Sequence, residues 1–310
     1  MVMPKMMINL RKLGILLVLT VVLLLGTTLF ALSYADVGLT DIVGEGEVSR
    51  VVPDLSTVPE SVVEDATALA RELFGDYQDK YNDFVSQLLA TYVEARDKDF
   101  VVIFNSGGWG WNLPESSPGW RSILSGIKSE LESLGYRPLL LNYRRTTQSL
   151  RSVVDELAEV VRAYPSKARN LARQVEFLTS HIPDLKVIVA GESNGTIFSD
   201  SVMRMLRDNP RVYSIQTGTP FWHKNRALER TLVVNNNGIV PDSFSRGDIP
   251  KMLWASLKAL FGLSSDEEDP GRILRYMRAP GHDYRWHYPG VYSQITDFLE
   301  KNFGSGRERY

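Results

Sequence analysis

The sequence predicts an α/β domain on a doubly wound, mainly parallel sheet of about six core strands, preceded by a transmembrane helix and a helical segment. Three observations predict it. Short apolar runs of strand length recur from Phe100 to Met277, and the intervals between most of them carry the three- and four-residue spacing of helices. Such runs are apolar on both faces, so both faces of the sheet need cover, which helices wound around parallel strands supply. Upstream, no charge occurs from Leu13 through Ala35, a stretch of 23 residues.

Residues 1–12 read as a cytoplasmic N-terminus, with Lys5, Arg11 and Lys12 ahead of the apolar stretch. Residues 13–35 read as a transmembrane anchor or signal segment. A spanning helix needs about 20 residues and a signal core about 7–15, so length favours the anchor. Ser33-Tyr34-Ala35 keeps a cleaved signal, and secretion, open. Either way the basic residues stay inside and the rest of the chain is expected outside the cytoplasm. Residues 36–58 read as a linker with a short strand at Val48–Val52. Residues 59–98 read as a helical segment: Val62, Ala66, Leu69, Leu73, Tyr77, Tyr81, Phe84, Leu88 and Tyr92 lie on one stripe, divided near Gly75. It is expected to pack on the core; a stalk or dimerising coil is the other reading.

The α/β domain is read over 99–305, followed by a tail at 306–310. Its strands are Phe100–Phe104, Pro138–Asn142, Lys186–Ala190, Val212–Thr217, Thr231–Asn235 and a weaker Ile273–Met277. Helices are expected over 121–134, over 148–181 with a division near Pro165, and over 291–303. Residues 250–263 are amphipathic and read as a crossover helix between two strands, or as a lid over an apolar site. A net charge of −2 excludes a global basic field for nucleic acid, and the absence of cysteine excludes disulfides, thiolate metal sites and cysteine nucleophiles.

The third run ends in Gly191-Glu-Ser193-Asn-Gly195 and a helical pattern follows. In a parallel sheet the carboxyl ends of strands are where ligands bind. Glycines flanking a sharp strand-to-helix turn let it present the serine outward, and the amide of Asn194 then opens a helix, where free N–H groups favour an anion. Strand, pentad and helix resemble the nucleophile elbow of the α/β-hydrolase superfamily, in particular its serine esterases and lipases. The resemblance covers roughly 99–305. It implies a nucleophile at Ser193, followed along the chain by an acid and a histidine.

His282, directly after the last expected strand, fits the base; His287 is its rival, while His181 and His223 read as ordinary surface or loop histidines. The loop Phe104-Asn-Ser-Gly-Gly-Trp-Gly-Trp111 resembles the family's glycine-rich oxyanion loop, which assigns Asn194 with Gly108 or Trp109 to the oxyanion hole. Trp109, Trp111 and Trp120 flank that loop, and Trp109 and Trp111 are expected to line a substrate pocket. The acid departs from the family pattern: Asn237 stands where aspartate is expected, with Asp242 just beyond and Asp248 further on. Asp242 is the expected acid and Asn237 the alternative. Arg144 and Arg145 could face an anionic head group, or simply be solvated.

The resemblance thus implies a serine hydrolase for a carboxylic ester or thioester, with a small-molecule or lipid ester as substrate and no metal or organic cofactor, and the uncharged stretch places it as membrane-anchored and extracytoplasmic. An acyltransferase using the same site, and a catalytically silent binding or scaffold protein of the same fold, are the other readings.

Overall fold

The computed structural model describes residues 39–41, 55–75, 78–108, 110, 117–145, 159–160, 162–224, 228–261, 263, 272–274 and 277–304. Residues 13–35 and the expected strand at 48–52 lie outside these. Among the described residues no helix is long and apolar enough to cross a membrane.

The main sheet has six strands: β1 (Leu39–Asp41), β2 (Phe100–Asn105), β3 (Pro138–Tyr143), β4 (Lys186–Glu192), β5 (Val212–Thr217) and β6 (Thr231–Val234). Their order is β1-β3-β2-β4-β5-β6. The pairs from β3 through β6 are parallel, and β1 runs antiparallel on the outer edge of β3. The sheet is therefore mainly parallel, as expected, and fits an α/β-hydrolase-like arrangement. Its sixth strand is not the expected one. Residues Arg272–Leu274 (β7) pair with Met277–Arg278 (β8) in a separate two-stranded sheet. That segment carries an arginine at every third position, Arg272, Arg275 and Arg278, too polar for a strand buried on both faces. The sixth strand of the main sheet is instead β1, from within the expected linker, on the edge beside β3 and away from β6.

Alternation along the strands builds two cores, because successive side chains point to opposite faces. Val101, Ile103, Val187 and Val189 face one helical layer: α1 (Glu60–Phe74), α2 (Gln78–Ala95), α4 (Pro165–His181) and α5 (Asn194–Met205). Phe100, Val102, Phe104, Ile188 and Ala190 face α3 (Pro118–Ser133) and the last helix, α8 (Pro289–Phe303). The 59–98 stripe thus packs into the domain core: Val62, Ala66, Leu69, Leu88 and Tyr92 are buried there. His181 at the end of α4 bonds Asp65 of α1 at 2.9 Å. Gly75, at φ 59°, ends α1, a conformation that costs glycine little.

Between β6 and β7 stand a one-turn helix, α6 (Ser243–Arg246), and α7 (Ile249–Leu260). The crossover reading of 250–263 does not hold, since α7 joins no two strands of the main sheet. It seats Met252 against Phe244 and Ala279 and leaves its other face to solvent.

Candidate active site

β4 ends at Glu192 and α5 begins at Asn194, so Ser193 alone makes the turn. It does so at φ 51° and ψ −119°, a backbone region that side-chain-bearing residues rarely occupy. Two features hold it there. The Ser193 N–H donates to the Thr217 carbonyl of β5 at 3.0 Å. The flanks also admit no side chain: a Cβ on Gly191 would lie 2.6 Å from the Gly195 carbonyl oxygen, and one on Gly195 would lie 2.2 Å from that of Asn105.

Over the elbow runs the chain from β2. A Cβ on Gly107 would meet Ser193 Cβ at 3.1 Å, and Gly108 turns at φ 57°. Asn194 Nδ2 donates to the Gly108 carbonyl at 3.3 Å. Gly108 and the first amide of α5 therefore lie together beside Ser193. Trp109 and Trp111 lie outside the described residues. Trp120 is fully buried in α3, with Nε1–H donating to Thr217 Oγ1 at 3.0 Å and its ring against Phe104, so it packs and lines nothing.

The Asp242 carboxylate is fully buried. Its Oδ2 pairs with His282 Nδ1 at 2.9 Å and accepts from Tyr284 Oη at 2.6 Å and Ser245 Oγ at 2.7 Å. Its Oδ1 accepts the backbone N–H groups of Phe244 and Ser245. Burial alone would raise the Asp242 pKa; the bonds from His282, Tyr284 and Ser245, with the charge on the imidazole, bring it to about 2. Burial and the same carboxylate push the Tyr284 phenol up, so it stays a donor. The imidazole of His282 packs over Gly218, where a Cβ would stand 2.6 Å from its Cε1. Gly218 directly follows Thr217, which holds Ser193, and this brings the histidine beside the elbow. Ser193 Oγ and His282 are not hydrogen-bonded to each other.

The other candidates lie elsewhere. Asn237 is buried, and its amide bonds backbone groups rather than His282. Its Nδ2 donates to the Gly281 and Asp283 carbonyls, and its Oδ1 accepts from Ile239 and Val240. It ties the acid loop to the histidine loop, a task that suits a donor–acceptor amide better than a carboxylate. Asp248 caps α7. His287 is exposed, with its ring against Tyr288. His223 pairs with Asp200 at 3.0 Å on α5.

Two further residues complete the site. Glu192, inside the pentad, accepts from the Gly107 N–H and from Ser117 Oγ. Burial raises its pKa against the opposing pull of His282 and these donors. Arg145 is not solvated. It is fully buried, its guanidinium lies over Tyr164 and Phe198, and Nη1 donates to the Ser106 carbonyl at 2.7 Å. The guanidinium also fills the space where a Gly110 Cβ would stand, so it props the glycine-rich loop from below. Arg144 is only partly buried. Among the described residues no group of three or more His, Cys, Asp or Glu could hold a metal ion.

No family model matches the chain, and no curated protein matches it. Among solved structures it is similar to Trichoderma reesei cutinase in complex with a C11Y4 phosphonate inhibitor, with 13% identity and a TM-score of 0.33 over 57% of this chain and 77% of that one.

Proposed function

We propose that this protein is a serine hydrolase that cleaves a carboxylic ester or thioester outside the cytoplasm, held at a membrane by residues 13–35. The observation that carries the reading is the buried Asp242–His282 pair beside a serine held at φ 51°. Asp242 keeps the proton on His282 Nδ1, which leaves Nε2 free to act as base. His282 Nε2 takes the proton of Ser193 Oγ as that oxygen adds to the acyl carbon. The N–H groups of Asn194 and Gly108 stabilise the oxyanion. The tetrahedral adduct collapses, and the alcohol or thiol leaves with the proton from His282. Water, deprotonated by the same nitrogen, then adds to the acyl-serine, and the acid departs as Ser193 regains its proton. The contact between Asp242 and His282 favours this reading over a silent scaffold of the same fold.

The test is fluorophosphonate labelling of the full chain in detergent. Wild type is expected to label, Ser193→Ala not at all, and His282→Ala and Asp242→Asn far more slowly. Folded wild type that stays unlabelled would sink the hydrolase reading.

A further inference from the structure

We propose that the carboxyl end of the sheet, where Ser193 sits, faces the lipid bilayer, so that the ester it receives is presented at the membrane surface. Two independent features point to this.

The first is the path of the chain. β1 pairs antiparallel with β3, with Leu39 opposite Tyr143, the last residue of β3. The start of β1 therefore lies at the carboxyl end of the parallel strands, the end that carries Ser193. Ala35, the last residue of the uncharged stretch, is four residues before Leu39. Four residues span at most about 14 Å. An apolar segment that ends there holds this end of the domain, and not the opposite one, close to the bilayer.

The second is the surface at that end. Phe221 and Trp222, just beyond β5, are 45% and 51% exposed. Beyond β6, Leu253, Trp254 and Leu257 of α7 and Phe261, which caps it, form one stripe and are 47–68% exposed, while Met252 on the other side is buried. Large apolar side chains grouped this way mark a binding surface, not ordinary exposure. Aromatic contacts run from this surface to the site: Trp222 meets Phe244 at 5.2 Å, and Phe244 meets His282 at 4.8 Å. Lys258 lies over the Trp254 ring at 5.8 Å, which sets a cation beside the apolar stripe as interfacial helices do. A bilayer with anionic head groups matches both.

The inference concerns the site assigned above, and its substrate class rests on that assignment. Orientation is read without catalysis. The chain has no cysteine, so single-cysteine variants take one label each. Leu257→Cys and, at the opposite end of the sheet, Ser180→Cys are labelled with an environment-sensitive fluorophore. The full chain is then reconstituted in vesicles of phosphatidylcholine and phosphatidylglycerol carrying brominated acyl chains. Side chains buried about 5–10 Å into the interface should be quenched about two-fold or more. The expected result is quenching at 257 and none at 180. No quenching at 257, or equal quenching at both, overturns the proposal. Fluorophosphonate labelling of the same samples separates the two claims: quenching without labelling leaves the surface and removes the enzyme, and labelling without quenching does the reverse.

Discussion

The elbow at Ser193 and the loop that carries Asp242 are both turns beyond the carboxyl ends of parallel strands, but they are held in opposite ways. The elbow is held by what is missing. Gly191 and Gly195 leave no room for a Cβ, and backbone presses on backbone. The acid loop is held by what is present. Asp242 and Asn237 are buried polar side chains, each with at least four hydrogen-bond partners. The elbow should tolerate no added atom, and the acid loop no lost bond. Each replacement below strains one side of that contrast.

The largest effect is expected from Asp242→Asn. In the proposed hydrolase mechanism an amide leaves His282 in the wrong tautomer and the imidazolium without a counter-charge, so kcat/KM on a soluble ester should fall about 10⁴-fold. A loss under tenfold would mean that another group serves as the acid. Gly195→Ala comes next. Its Cβ meets the Asn105 carbonyl, which as strand backbone cannot step aside, and denaturant unfolding should show a loss of about 3 kcal/mol. Asn237→Ala should cost about 2 kcal/mol, because it leaves two backbone N–H groups and two carbonyls of the paired loops without their partner. Equal stability would show that the two loops hold each other without it.

The pH dependence separates the acid from its surroundings. The Asp242 pKa is about 2 in the fold against an ordinary 3.8. A carboxyl depressed in this way supplies stability that is full above the unfolded value and lost as pH falls through the folded one. Wild type should therefore lose about 2 kcal/mol between about pH 4 and pH 2 that Asp242→Asn does not lose. Urea midpoints at both ends of the window measure the difference. The smallest effect is expected for Tyr284→Phe, about 1.5 kcal/mol for one donor to a charged acceptor that keeps its others.

This contrast also explains which parts were legible in the sequence. The elbow is a local object. Strand, two glycines, serine and helix fall within a dozen consecutive residues, and steric exclusion leaves glycine as its mark. The acid loop is assembled across the chain. Asp242 meets His282 and Tyr284 from a distant loop, and nothing near residue 242 announces them. Asn237 stands at the acid's position in the family register, while its partners on the histidine loop show a tie between the two loops. Arg145 was illegible for the same reason. An arginine beyond a strand reads the same whether water or Tyr164 and Phe198 receives it. Glu192 was in plain view in the pentad, but its donors come from the β2 loop and from Ser117. The weak sixth run is no core strand because its arginines do not suit a strand buried on both faces of the main sheet.

The three residues Leu39–Asp41 have a consequence for handling the protein. β1 occupies the outer edge of β3, which would otherwise present a row of unpaired N–H and C=O groups. A fragment trimmed to the start of α1 would bare that edge and invite edge-to-edge pairing between copies. A fragment begun ahead of Leu39 keeps the edge covered and should stay monodisperse where the shorter one aggregates.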